Sequence, residues 1–229
     1  MQRVLRIGHR GAAGHAPENT LAAIQKGIAL GVNFVEIDVR RTADGVLVVL
    51  HDATVKRTTN GKGRVDRLSL QEIKQFDAGG GEHIPTLDEA LRVIAGKTGL
   101  MLELKTRGTA RQAAETVREA GLSSSVIYAS FLHDELQHVW TVDPEASLMV
   151  LFGGLPRASV PRAIKNGSSY VGLRHDKATR RLVDSFHRSG LRVFVYTADD
   201  PSDIQRALSL GVDGVISNFP ERIASRSFR

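Results

Sequence analysis

In this chain of 229 residues, polar dyads sit where apolar, strand-like runs end. His9-Arg10-Gly11 follows Val4–Ile7, and Glu36-x-Asp38 lies inside Phe34–Val39. His51-Asp52 ends Val46–Leu50, and Glu103-x-Lys105 closes the run that starts at Leu100. Strand side chains alternate, so Glu36 and Asp38 share one face, as do Glu103 and Lys105, while their apolar neighbours point the other way. Ionised groups beside buried strands are costly unless paired, hydrogen-bonded or bound to metal. Three carboxylates without a soft ligand suit one divalent cation, Mg2+ or Ca2+. The alternative is that these acids pair with Lys105, Arg10 or Arg40. His9 and His51 titrate near neutrality and suit a general base and a general acid on opposite sides of a scissile bond. Arg10 and Lys105 add positive charge suited to phosphate oxygens. His175 is a weaker candidate, and the other five histidines read as surface or structural. No serine lies in a nucleophile elbow and no Walker-type loop occurs, which disfavours acyl transfer and nucleotide hydrolysis.

The elements that must position these groups follow from periodicity. Eight strands are expected at 4–8, 34–39, 100–105, 126–130, 147–151, 170–174, 192–197 and 213–217. Between them lie helical patterns: Thr20–Leu30 with Leu21, Ile24 and Ile28 on one face, and a capping box at Thr86–Glu89. A third helix opens at Asp200-Pro201, with Asp200 as its cap. Strand–helix alternation repeated eight times predicts an α/β fold, a (β/α)8 TIM barrel, with a doubly wound sheet as runner-up. The run 46–50 is expected to fold back on 36–43 through a two-residue Asp44-Gly45 turn, which sets His51 opposite Asp38. Residues 53–85 read as a small insertion, with a short capped helix near Ser69, inside a single domain spanning 1–229.

The net charge of +6 comes from 31 Lys+Arg against 25 Asp+Glu, without a five-residue basic block. This predicts a mildly basic surface that attracts anionic substrates and no nucleic-acid partner. Neither a membrane-spanning apolar run nor a signal peptide is visible, so no stable membrane insertion is expected. The absence of cysteine excludes disulfides and fits a cytoplasmic protein. A monomer or a homodimer is expected.

Taken in order, these motifs resemble the glycerophosphodiester phosphodiesterase family. The likeness also includes Pro17-Glu18-Asn19-Thr20, Ile84-Pro85-Thr86-Leu87, Ser130-Phe131 and the terminal stretch from Gly211 to Pro220, and it spans essentially the whole chain. It implies a divalent cation on Glu36, Asp38 and Glu103, with His9 and His51 as the acid–base pair. It further implies Arg10 and Lys105 on the phosphate, and Glu18 and Asn19 bracing the site and capping the following helix. The implied reaction splits a small glycerophosphodiester, such as glycerophosphocholine, into sn-glycerol 3-phosphate and an alcohol. One departure is Tyr196-Thr197, where the family usually has Trp-Thr. An aromatic platform survives, but head-group preference does not carry over. Phe131, Phe152 and Phe219 are further wall candidates, for which ordinary packing is the competing role. A lysophospholipid-type phosphodiesterase and a catalytically inactive binding barrel are the other readings.

Overall fold

The apolar runs form strands at Leu5–Gly8 (β1), Phe34–Arg41 (β2), Leu47–Val49 (β3), Gly99–Leu104 (β4), Val126–Ser130 (β5), Ser147–Phe152 (β6), Tyr170–Arg174 (β7), Arg192–Tyr196 (β8) and Gly214–Ser217 (β9). The structure is a computed structural model that describes residues 4–154 and 159–223. Hydrogen bonding runs in the order β1-β9-β8-β7-β6-β5-β4-β2, and β1 also pairs with β2 in parallel. That pairing closes an eight-stranded parallel TIM barrel, as the alternation predicts. The helices are Leu21–Ala29 (α1), Leu70–Ile73 (α2), Leu87–Ile94 (α3), Ala110–Glu119 (α4), His133–Val142 (α5), Ser159–Lys165 (α6), Arg180–Arg188 (α7) and Pro201–Ser209 (α8).

Strand alternation divides the core in two. Ile7, Met101, Ile127, Met149, Phe194 and Ile216 fill the barrel interior. Val35, Ile37, Val39, Leu100 and Leu102 face outward into the layer beneath the helices. Glu36 and Asp38 therefore share the interior face with Met101 and Glu103, their partners in register. Helix α1 turns a seam of Ala23, Ile24 and Gly27 toward the barrel. Leu21 and Ile28 flank that seam and are only partly buried. Close approach is the reason: a Cβ on Gly27 would lie 2.8 Å from the Gly11 carbonyl oxygen.

Helix starts follow their caps. The Thr86 hydroxyl and the Glu89 carboxylate form the reciprocal capping box of α3, and Ser69 and Glu72 do the same for α2. The Thr20 hydroxyl accepts from Ala23 N, so Thr20, not Glu18 or Asn19, caps α1. Asp200 departs from expectation because its side chain makes no capping hydrogen bond; Pro201 starts α8 with its φ already set. The N-terminus of α4 is satisfied from outside. Buried Glu135 of α5 accepts from the backbone N–H groups of Gly108, Thr109 and Ala110. This anchors the loop that follows Lys105.

The hairpin is antiparallel, but its register differs by one residue from expectation. Val39, Arg40 and Arg41 oppose Val49, Val48 and Leu47, and Leu50 N donates to Asp38 O at 2.9 Å. The loop holds three residues, Ala43-Asp44-Gly45, because Thr42 closes it. Thr42 N donates to Val46 O, and the Thr42 hydroxyl accepts from Val46 N. Gly45 takes φ 85°, the left-handed position that a three-residue loop needs. His51 thus sits one residue beyond the position opposite Asp38. The segment after it packs Val55, Val65, Ile73 and Ile84 against Val48 and Leu50, a small core of its own on the flank of the barrel.

Candidate active site

The site lies where β1, β2 and β4 end, at the C-terminal rim that serves catalysis in such barrels. His9, Arg10, Glu36, His51, Glu103 and Lys105 line one cavity of about 240 Å³, and Phe131, Tyr196 and Thr197 form its outer wall. Asp38 lies just beneath, 1% exposed.

Backbone geometry at the rim is unusual. Arg10 and Asn19 both adopt positive φ, 50° and 60°. Such conformations cost about 1–3 kcal/mol and persist where the surroundings impose them. At Arg10 the turn aims the backbone N–H at Glu36 Oε2, 2.7 Å away. Gly11, at φ 92°, follows; a Cβ there would lie 2.4 Å from the backbone of Ala23. Asn19 grips Asp38 at two points, its Nδ2 donating to Oδ2 at 2.8 Å and its Oδ1 accepting from Asp38 N at 3.2 Å.

Oxygens of Glu36, Asp38 and Glu103 all lie within 4.8 Å of one another. Lys105 Nζ contacts Glu103 at 2.6 Å and Asp38 at 3.3 Å, and Arg10 Nε lies 3.5 Å from Asp38. The ion-pair alternative is therefore partly realised, although Arg40 takes no part in it: its Nε donates to the His51 carbonyl oxygen. Charge is not balanced by these contacts. Burial, then Asp38 and Glu103, push Glu36 well above the carboxylate range; burial and Asp38 push Glu103 up to about 7. Burial opposes the Asp38 charge too, but Lys105 and Arg10 hold its pKa below the ordinary value. Two buried acids left short of positive charge, offering hard oxygen donors, fit a divalent cation.

Each histidine has one ring nitrogen engaged. Asn218 Nδ2 donates to the Asp199 carboxylate at 2.6 Å, which turns its Oδ1 toward His9 Nδ1 at 2.7 Å. A carbonyl oxygen can only accept, so His9 carries its proton on Nδ1 and presents a bare Nε2, 4.0 Å from Glu36. Burial and then Arg10 pull the His9 pKa down to about 4. His51 Nδ1 instead meets the Asp52 carboxylate at 2.7 Å. Burial lowers its pKa, while Asp38 and Asp52 pull in the other direction.

The remaining candidates divide. Phe131 is 42% exposed, edge-on to Tyr196, with Lys105 Nζ 5.8 Å from its ring. The Tyr196 hydroxyl donates to Phe152 O at 2.8 Å, so only its ring is offered to the cavity. Phe152 packs on His133 and Phe186, and Phe219 on His15 and Arg222, away from the site. His175 lies 3.5 Å from Asp203, also elsewhere. Sequence reasoning missed Asp199, Asn218 and Arg57. Asn218 stands in the terminal stretch that carries the family likeness, and Arg57 follows the His51-Asp52 dyad by five residues, but neither position alone signals a contact.

Fold and rim chemistry together suit a barrel enzyme of phosphate-ester chemistry. The model of the glycerophosphoryl diester phosphodiesterase family matches residues 9–222. A glycerophosphodiester phosphodiesterase of Caldanaerobacter subterraneus is 34% identical over 234 residues, covering 96% of each chain. A phosphodiesterase of Oleispira antarctica, solved in complex with its product sn-glycerol 3-phosphate, superposes with a TM-score of 0.88 at 31% identity, covering 95% of this chain and 94% of that one. The glycerophosphodiester phosphodiesterase of Agrobacterium tumefaciens gives 0.84 at 31%, covering 97% and 99%. This chain belongs to the glycerophosphoryl diester phosphodiesterase family, and it is an enzyme of the phosphoric diester hydrolase class. Among the described residues no helix is long and apolar enough to cross a membrane.

Proposed function

We propose that the chain hydrolyses small glycerophosphodiesters, such as glycerophosphocholine or glycerophosphoethanolamine, to sn-glycerol 3-phosphate and an alcohol by histidine acid–base catalysis. The observation that carries this reading is the pair of imidazoles whose Nδ1 atoms are tied, His9 to an amide and His51 to a carboxylate, on one cavity with Arg10 and Lys105. Glu36, Asp38 and Glu103 would hold one divalent cation, Mg2+ or Ca2+. When bound, such an ion supplies Lewis-acid stabilisation of charge developing on phosphate oxygens.

The chain's own groups do the rest. Arg10 and Lys105 bind the non-bridging oxygens. His9 Nε2, neutral at pH 7, takes the proton of the attacking oxygen as the new P–O bond forms. That oxygen belongs to water or to the substrate's glycerol; the second route gives a cyclic phosphate, which water then opens as His51 takes the water's proton and His9 returns its own to the departing glycerol oxygen. As the P–O bond to the head group breaks, His51 Nε2 gives its proton to the leaving alkoxide. The Asp52 carboxylate favours the protonated ring that this step requires, whereas Asn218 offers His9 no charge. This contrast supports His9 as base and His51 as acid. The cysteine-free composition supports a cytoplasmic setting.

The test is glycerol 3-phosphate release from glycerophosphocholine by metal-stripped protein, with Mg2+ or Ca2+ added back. Restored release supports the reading. Folded protein that releases nothing with either ion, from the choline or the ethanolamine diester, overturns it.

A further inference from the structure

A second cavity, of about 250 Å³, shares Lys105 with the first. Arg40, Arg41, Arg64 and Arg107 line it beside Lys105, against one carboxylate, Asp66. That acid is taken up: Arg64 grips it through two hydrogen bonds of 2.9 and 2.8 Å. Arg40 and Arg41 spend their donors on neutral oxygens. Arg40 Nε donates to His51 O at 2.8 Å and its NH1 to the Thr106 hydroxyl at 3.3 Å, while Arg41 NH1 donates to Gly108 O at 3.1 Å. Among the described residues neither guanidinium has a carboxylate partner within 4.0 Å, whereas Arg107 meets Asp134 at 3.3 Å and Lys105 is held by Glu103 and Asp38.

Guanidinium groups without counter-ions in a concave site favour an anion, and their fork geometry favours phosphate. The position of the cavity says which part of a substrate would reach it. Arg40 is bonded to the backbone of His51, and Ala53 is part of the lining. On the reading proposed above, His51 protonates the departing alcohol, so the head group leaves on this side.

We propose that this basic cavity is a subsite for the leaving alcohol, and that the preferred substrates are glycerophosphodiesters whose head group carries its own phosphate. The inference rests on the proposed hydrolysis for its orientation, and on the arginine cluster for its chemistry. A quaternary ammonium head would enter a positive field without an aromatic or acidic cage to receive it.

The decisive comparison uses a matched pair, glycerophosphoglycerol and the same diester bearing a terminal phosphate, with glycerophosphocholine as the cationic reference. One charge-assisted contact predicts a kcat/KM at least about tenfold higher for the phosphorylated diester than for its neutral twin. Glycerophosphocholine should be the poorest of the three. That ratio falls toward one in Arg40→Gln and in Arg107→Gln, whose exposed side chain pairs with Asp134, and Arg107→Lys restores part of it. Calorimetric binding of the same pair to the His9→Ala protein provides an arm independent of turnover. Tighter binding of the phosphorylated diester to His9→Ala, with no hydrolysis of either diester by the unmutated protein, leaves the subsite standing and removes the proposed reaction. Equal kcat/KM or equal binding for the pair, or a ratio that ignores both substitutions, overturns the subsite.

Discussion

Arg57 and Glu18 meet end to end, the two terminal nitrogens of the guanidinium donating to the two carboxylate oxygens at 2.8 and 2.7 Å. The same arginine holds Asp52 at 2.7 and 3.1 Å, and Asp52 holds His51 Nδ1. At the other end Glu18 accepts from Arg10 at 2.6 Å. The insertion after β3 thus supplies the link between the proposed phosphate-binding arginine and the proposed acid. Loss of groups that orient catalytic side chains typically costs about 10–100-fold. Arg57→Ala should lower kcat/KM by that amount, with Arg57→Lys in between because an ammonium cannot fork. Steady-state kinetics on both variants checks this, and full activity in Arg57→Ala would show the link to be structural only.

Removing either proposed proton carrier should be more severe. His9→Ala and His51→Ala are each expected to lose about 10²–10⁴-fold in kcat. Circular dichroism establishes whether the fold survives. A folded variant with wild-type turnover removes that histidine from the mechanism.

Asp52→Asn takes away a carboxylate that raises the His51 pKa. An acid works while protonated, and its protonated fraction falls as pH rises through its pKa. A lower pKa therefore moves the basic limb of the kcat/KM profile to lower pH, by about one unit for the loss of a directly bonded charge. On the proposed assignment the acid limb is that of His9, near pH 4, and should stay. A stationary basic limb in Asp52→Asn argues against His51 as the acid.

Divalent-cation binding should release protons. In metal-free protein Glu103 titrates near 7, and burial with its acidic neighbours raises Glu36 well above the carboxylate range, so protons held by these acids must leave when the ion binds. Affinity is expected to fall about tenfold per pH unit below 7 for each proton released. Calorimetry in buffers of different ionisation enthalpy reads the number directly. Binding without proton release would contradict the crowding of these acids.

Acid should destabilise the fold through Asp52 and Glu18. Arg57 holds Asp52 below its ordinary value; at Glu18 burial works in the other direction, but Arg57 and Arg10 prevail. A carboxylate whose pKa is depressed on folding stabilises above its unfolded value and loses that contribution as pH falls through the folded one. The window opens near pH 4, about where both groups titrate in the unfolded chain, and extends downward. Chemical denaturation from pH 5 to 2.5 should show a shallower loss in a Glu18→Gln, Asp52→Asn double variant than in the parent. Parallel curves would mean that the network contributes nothing to acid stability.

Much of this architecture was legible from alternation alone. Glu36, Asp38 and Glu103 share a face because period two puts them there, and the apolar runs between capped helices account for the closed barrel. The hairpin register was not legible, since Asp44-Gly45 serves a two-residue or a three-residue loop equally well. The choice lies with the Thr42 hydroxyl, which captures Val46 N. Arg40 reads as a partner for the acids by proximity in sequence, yet it turns to the His51 carbonyl. Long-range partners were least accessible: Arg57 sits in a Lys- and Thr-rich stretch that resembles any surface loop. Nothing local announces that it spans Asp52 and Glu18.

The proposed base takes its orientation from a residue just beyond β9. His9 N donates to Ser217 O, and His9 Nδ1 meets Asn218, 209 residues away in sequence. During synthesis the histidine emerges 209 residues ahead of its aligning amide. Every shorter nascent chain carries the imidazole with nothing to choose its tautomer. On the proposed mechanism, hydrolytic competence then arrives in one step, when β9 seals β1 to β8, and a product truncated before Asn218 is silent instead of half active.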